Sequence, residues 1–123
     1  MRTYTGGDNE PKVERIYFTC VGADGADPTS VKGRGITSFK YNAGTGIYQL
    51  ILKDSFITLL GVRLTVINAT PAGWVVGVDD TTTGSTGVID MKLFDVATPT
   101  ATNLKTADAA LFEVIVSRTG QPL

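Results

Sequence analysis

Hydrophobic and polar residues alternate with a period of two in seven separate stretches of the chain. In the first stretch, Ile16, Phe18 and Cys20 fall on one face of an extended strand, and the residues between them fall on the other. The remaining stretches cover 36–41, 48–53, 62–66, 74–78, 89–93 and 112–117. Because they are short and bounded by Gly, Pro, Asn and Asp, they predict an all-β domain of about seven strands, either a β-sandwich or a small barrel-like fold.

The connections between these stretches carry residues that favour turns. The segment 42–46 predicts a hairpin loop, and 79–87 predicts a longer, exposed hairpin tip. Two segments have features of a short helix. The segment 54–61 offers an acidic cap, an apolar turn and a terminal Gly, and 106–110 has the length of a single turn. We therefore expect helix only in these two places.

Two stretches show no periodicity. Residues 22–35 predict a long loop, which in a compact domain is often functional or mobile. Residues 1–12 are polar and predict a flexible N-terminal arm that becomes ordered on binding. The expected organisation is thus an arm over 1–12 followed by a single β domain over 13–123.

The net charge and the numbers of His and Cys residues exclude some classes of function. The formal net charge of the 123 residues is −1, so no global field attracts nucleic acid or an acidic membrane surface. The chain has no His, the usual general base and a common metal ligand, and its single Cys, in an apolar run, predicts a buried thiol rather than a zinc site. We find no apolar leader and no run long enough to cross a bilayer, so synthesis in a cytoplasm is expected.

Acidic and nucleophilic residues lack the spacing that catalysis or metal binding requires. Asp24, Asp27 and the pair Asp79-Asp80 favour turns over a calcium loop, which needs several acids at alternate positions. No nucleophile elbow surrounds Ser30 or Ser55. We therefore expect a protein that is not an enzyme, with no catalytic, cofactor-binding or metal-binding residues.

The carboxylates and the aromatic residues indicate whether the protein could cleave or bind a sugar. Glu14, Asp90 and Glu113 are candidates for a paired-carboxylate glycosidase in principle only. Aromatic residues make up 8% of the chain, which is low for a sugar-binding groove.

Five residues are candidates for contact with a partner. Lys32 and Arg34 suit an acidic partner surface, although a solvated basic pair in a loop is the favoured interpretation. Trp74 begins an apolar strand and is favoured as a core or rim anchor, yet if exposed it is the best interface candidate. Tyr4 and Pro11 belong to the predicted arm.

A series of short motifs adds a more specific signal. The core pattern is Gly46-Ile47-Tyr48, then Leu52-Lys53-Asp54-Ser55-Phe56, then Leu59-Leu60. It is preceded by Arg15-Ile16-Tyr17-Phe18 and followed by a strand with Trp and by a closing strand over 112–117. Over roughly residues 13–118 this order resembles small structural proteins of tailed bacteriophages, often placed among the capsid-decorating, or cement, proteins.

The resemblance implies a β-sandwich-like domain on the outer shell of a virion, made in the host cytoplasm. It implies the major capsid protein as partner, a homotrimer as the commonest assembly, and no catalytic residues. Apolar residues on nominally outer strand faces, Ile47, Ile51, Ile67 and Val75, also favour self-association. Two alternatives stay open, which are a tail, baseplate or fibre component of the virion and a carbohydrate- or cell-surface-binding module.

Overall fold

The computed structural model describes residues 13–68, 73–79, 82–95 and 100–117. The predicted arm over 1–12, with Tyr4 and Pro11, lies outside these ranges. The described residues form a single 3-10 helix at Gly84–Thr86 and eight strands. The strands are β1 (Val13–Val21), β2 (Thr29–Gly33), β3 (Ile36–Asn42), β4 (Ile47–Leu52), β5 (Thr58–Ile67), β6 (Trp74–Val78), β7 (Val88–Asp95) and β8 (Ala109–Ser117).

The strands form two antiparallel sheets of four strands each. The first sheet has the order β2-β1-β8-β5, and the second has the order β3-β4-β7-β6. The two sheets pack their inner faces against each other, and no pairing between described strands joins one sheet to the other, so the fold is a β-sandwich and not a closed barrel. The all-β prediction is confirmed.

The core between the sheets is built from alternate residues of the strands. Phe18 of β1 stacks on Phe112 of β8 with ring centroids 4.7 Å apart, and Phe39 of β3 meets both rings edge-on at 5.0 Å. The predicted inner face of the first stretch is correct, because Ile16, Phe18 and Cys20 are all buried. Aromatic pairs of this geometry stabilise a core beyond the area that they bury.

One strand lies inside the segment that the sequence predicts as a loop. β2 occupies 29–33 and pairs with β1, with Phe18 opposite Gly33. The backbone fits closely here, since a Cβ on Gly33 would lie 2.6 Å from the Cβ of Phe18. The strand is not predicted by alternation of polar and apolar residues, because Ser30 takes a φ of 51° and the register of β1 with β2 is irregular between Thr19 and Val21.

The predicted short helix over 54–61 is wrong. Its backbone groups bond to distant segments: the Phe56 N–H donates to the Gly84 carbonyl at 2.9 Å, and the Ile57 N–H donates to Ser117 at 2.9 Å. From Thr58 onward the chain pairs with β8. Gly61 lies at a bulge in this strand and does not end a helix. Long-range pairing has overridden a weak local preference.

The other connections follow the predicted turns more closely. The loop over 42–46 joins β3 to β4, with the Gly46 N–H donating to the Asn42 carbonyl at 2.8 Å, and Gly46 takes the left-handed φ of 73° that suits glycine. The hairpin between β6 and β7 is confirmed. The segment 106–110 holds a turn with Ala107 at a φ of 71° and then enters β8, so its predicted helical form is wrong.

Candidate protein-binding surfaces

The outer face of the first sheet exposes apolar and aromatic side chains. Alternation in β1, β8 and β5 turns Tyr17, Leu111 and Ile67 outward while their neighbours fill the core. These three side chains are 52%, 42% and 67% exposed, respectively. Leu111 sits between Thr19 and Thr65 in the register, directly beside the row that contains Tyr17. The face therefore carries apolar area available to a partner.

A carboxylate organises the centre of this face. Tyr17, Glu113 and Arg63 lie side by side on β1, β8 and β5. The Tyr17 hydroxyl donates to Glu113 Oε2 at 2.8 Å, and Nη1 of Arg15 lies 3.4 Å from the same oxygen. Arg63 Nη1 lies 3.5 Å from Glu113 Oε1. We call Tyr17, Leu111, Arg15, Arg63 and Glu113 the Glu113 patch.

The contacts within the Glu113 patch shift two pKa values in opposite directions. The hydrogen bond from Tyr17 is the main cause that lowers the pKa of Glu113, and the two arginines lower it further against the effect of burial. The same hydrogen bond raises the pKa of Tyr17, with smaller contributions from burial and from the charge of Glu113. Glu113 is therefore ionised at neutral pH and interacts with the three surrounding side chains.

The Glu113 patch has the composition of a protein interface. Tyr and Arg are over-represented among residues that dominate binding energies, and Leu111 supplies adjacent apolar area. Each arginine directs Nη1 at the carboxylate, whereas a guanidinium carries five N–H donors, so donors are left for an acidic partner. Two arginines against one carboxylate also give the patch a net positive charge although the whole chain is at −1.

The four sheet edges differ in how they are protected against pairing with another chain. The edge strand β2 is irregular at Ser30, and β5 has a bulge between Leu59 and Gly61 and carries Arg63. In β3, the Tyr41 N–H is occupied by Asp27 Oδ1 at 2.9 Å. By contrast, β6 reads Trp-Val-Val-Gly-Val, with a regular register and no charge or Pro. The sequence of β6 itself therefore has none of the features that protect an edge strand against pairing.

The interface candidates of the sequence analysis lie apart in the structure. Lys32 and Arg34 are exposed, the first on β2 and the second in the turn to β3. Trp74 lies at the opposite side of the sandwich, on the edge strand β6, and packs against the core. It is half-buried, which agrees with the rim-anchor interpretation, and its indole N–H is buried without an acceptor among the described residues. Tyr4 and Pro11 lie outside the described residues.

The Glu113 patch was not predicted as a site from the sequence. Tyr17 and Arg15 stand out in the sequence only as the outer half of an alternating run, and Glu113 only as a carboxylate candidate. What joins them is the register of β1, β8 and β5, which places residues far apart in sequence in one row. An aromatic residue and a charged residue at outer positions of separate strands are the one signal that the sequence offers.

The carboxylates do not form the pair that a glycosidase needs. Asp90 lies on the outer face of the second sheet, where its Oδ1 accepts from Gln49 Nε2 at 3.1 Å. Glu113 lies on the outer face of the first sheet, so the whole sandwich separates the two. An open depression of about 590 Å³ beside Asp90 is lined mainly by polar residues, among them Lys40 and Gln49.

Across the described ranges, no cluster of three or more His, Cys, Asp or Glu side chains is arranged to hold a metal ion. No helix in the same part of the chain is long and apolar enough to span a membrane. Comparison of the sequence and fold with protein-family models, with curated proteins and with solved structures finds no match.

Proposed function

We propose that this protein is a non-enzymatic structural component of a bacteriophage virion that decorates the capsid and stabilises it by binding across capsid subunits. The observation that carries the proposal is the Glu113 patch, a preorganised surface of exposed Tyr, Leu and Arg side chains on a rigid sheet. The capsid as its location comes from the resemblance of the sequence motifs to cement proteins. The β-sandwich agrees with that resemblance.

In this proposal the Glu113 patch binds an acidic and apolar surface of the major capsid protein. Tyr17, Arg15 and Arg63 already contact Glu113 in the free protein, which lowers the entropy that docking costs. A protein that bridges several subunits stabilises the shell by mass action, because it binds the assembled state and not the separated subunits. A homotrimer is the proposed assembly, and neither nucleic acid nor a membrane is a proposed partner.

The alternatives rest on weaker support. A carbohydrate-binding module needs several exposed aromatic rings around a groove, whereas Tyr17 is the one large aromatic side chain that is more than half exposed among the described residues. A tail, baseplate or fibre component would use the same binding surfaces. The two virion locations are therefore separated by the position of the protein on the particle.

Binding to particles that lack the protein tests the proposal. We expect the purified wild-type protein to co-sediment with such particles, and Leu111→Lys to lose most of this binding, because it places a buried charge in the contact. Val75→Lys is the matched control, since it changes an exposed apolar strand residue on the other sheet. At low occupancy it should bind as the wild type does.

Both variants must first show the wild-type melting temperature, so that a loss of binding is not a loss of folding. Equal binding of wild type and Leu111→Lys would contradict the role of the patch. Absence of wild-type binding to heads, with binding to isolated tails, would favour the tail alternative.

A further inference from the structure

On the side away from β7, β6 has no strand partner within the part of the chain that the structure describes. Just beyond β6, the Asp79 N–H donates to the Asp90 carbonyl of the neighbouring segment at 2.7 Å. Antiparallel ladders alternate, so Val75 and Gly77 also direct their backbone groups toward β7. The backbone groups of Trp74, Val76 and Val78 then point to the open edge of the second sheet.

The sequence of β6 is complementary to itself when two copies run antiparallel. Pairing centred on Val76 places Val76 opposite its own copy and Trp74 opposite Val78. These are the residues whose backbone groups point to the open edge, so every one of them gains a partner in this register. The strand carries no charge, and the pairing therefore meets no like-charge repulsion within it.

The side chains on the outer face fit the same register. Val75 is 57% exposed and would lie opposite Gly77 of the second copy. The ring of Phe94 already lies over Gly77, because a Cβ there would be 3.2 Å from Phe94 Cε2. The exposed Val75 would consequently pack against the Phe94 ring of the second copy.

We propose that β6 pairs with β6 of a second copy about a two-fold axis at Val76, which joins the second sheets of the two copies into one continuous sheet. The proposal goes beyond capsid binding, because it names a contact between copies of this protein. A two-fold contact closes at two copies and uses a different surface from a three-fold one. It therefore links pairs of monomers or pairs of trimers and gives an even number of copies in solution.

Analytical ultracentrifugation of the wild type and of Val75→Lys tests the pairing. In the proposed register the introduced ammonium group would approach Lys92 of the second copy, since Lys92 lies beside Gly77 on β7. We expect the wild type to sediment with an even copy number at micromolar concentration and Val75→Lys to show half that mass. The dissociation constant should rise at least about tenfold, or about 1.4 kcal/mol. Leu111→Lys, on the first sheet, should keep the wild-type mass.

Hydrogen exchange gives a second readout that a folding defect would not imitate. The amides of Val76 and Val78 should become protected as the wild-type concentration rises, while the amide of Gly77, already bonded to β7, should be protected throughout. Val78→Lys, at a residue 45% exposed, replaces Val75→Lys if the latter melts early.

Three results would each overturn the pairing: a wild type that is monomeric or trimeric, an unchanged mass in the lysine variant, or concentration-independent exchange at Val76. Failure of capsid binding leaves these measurements unaffected, so the two proposals fail separately.

Discussion

The hydroxyl of Tyr48 accepts a hydrogen bond from the backbone N–H of Leu104 at 2.8 Å, and both residues are fully buried. Tyr48 belongs to β4, whereas Leu104 lies in the connection between β7 and β8. The next residue, Lys105, donates its N–H to Asp108 Oδ2 at 3.0 Å. These bonds fix the connection against the sheet and place Leu104 in the core.

Replacing Tyr48 by Phe tests the importance of this bond. The Leu104 N–H would stay buried without an acceptor, so we expect Tyr48→Phe to lower the free energy of unfolding by about 1–3 kcal/mol. Tyr41→Phe is the control, because Tyr41 packs on Tyr48 at 4.5 Å between ring centroids but lies half-buried. Urea denaturation measures both free energies of unfolding. Equal effects of the two variants would show that the Tyr48–Leu104 hydrogen bond is not the cause of the destabilisation.

Two buried groups that lose a proton only at high pH, the Cys20 thiol and the Tyr48 hydroxyl, should make the fold sensitive to alkaline pH. Burial raises the pKa of Cys20 from 9.0 to about 11, and burial chiefly raises the pKa of Tyr48 from 10.0 to about 12. The native state retains these protons longer than the unfolded state, so stability is full below about pH 9 and falls as the pH rises toward about 12. For Cys20 the loss is on the order of 2–3 kcal/mol.

Free energies of unfolding measured across this range check the effect. Cys20→Ala should weaken the decline between about pH 9 and about 11 and leave the later decline in place. An unchanged decline in Cys20→Ala would show that the thiol is not its source.

The Tyr17–Glu113 hydrogen bond should be visible in the titration of the carboxyl group. Because this bond is the main cause that lowers the pKa of Glu113, Tyr17→Phe should raise that pKa toward its ordinary value. A lowered carboxyl pKa stabilises the fold above the unfolded-state value, and the gain disappears as the pH falls through the native one. NMR titration of the Glu113 side-chain carbon measures the shift. If Tyr17→Phe leaves the pKa in place, the arginines and not the tyrosine organise the patch.

Two glycines provide a matched test of packing. A Cβ on Gly84 would lie 2.5 Å from the Phe56 carbonyl oxygen, whereas a Cβ on Gly61 meets no atom within 4 Å. We expect Gly84→Ala to destabilise by about 1–3 kcal/mol and Gly61→Ala to change stability by less than about 0.5 kcal/mol. Thermal unfolding distinguishes them, and a stable Gly84→Ala variant would mean that the 3-10 helix at Gly84–Thr86 is not pressed against Phe56.

Alternation in the sequence is enough to predict most of the fold. The alternating stretches become strands and the segment 42–46 becomes a hairpin, because burial of one face imposes a period of two. Alternation fails where the geometry is irregular. The strand β2 escapes prediction because its backbone is distorted at Ser30, and 54–61 resembles a helix in sequence because its true partners, among them Gly84 and Ser117, are remote along the chain.

The binding surfaces could be predicted only in part. The sequence places four apolar side chains on outer faces: Ile67 and Val75 are more than half exposed, whereas Ile47 and Ile51 are half-buried. The order of the strands could not be predicted from the sequence. This order makes β6 an edge strand and places Tyr17, Glu113 and Arg63 in one row. Lys32, Arg34 and Trp74 could be judged singly, whereas their separation across the sandwich required the structure.

If this protein stabilises a viral shell, as we propose, its loss should lower the temperature at which the particle comes apart. Three kinds of virion would be heated while a DNA-binding dye follows genome release. They are virions produced with the wild-type protein, without it, and with Leu111→Lys in its place. We expect release at the highest temperature for the wild type, and at a lower, equal temperature for the other two. Identical release temperatures for all three particles would contradict the proposal.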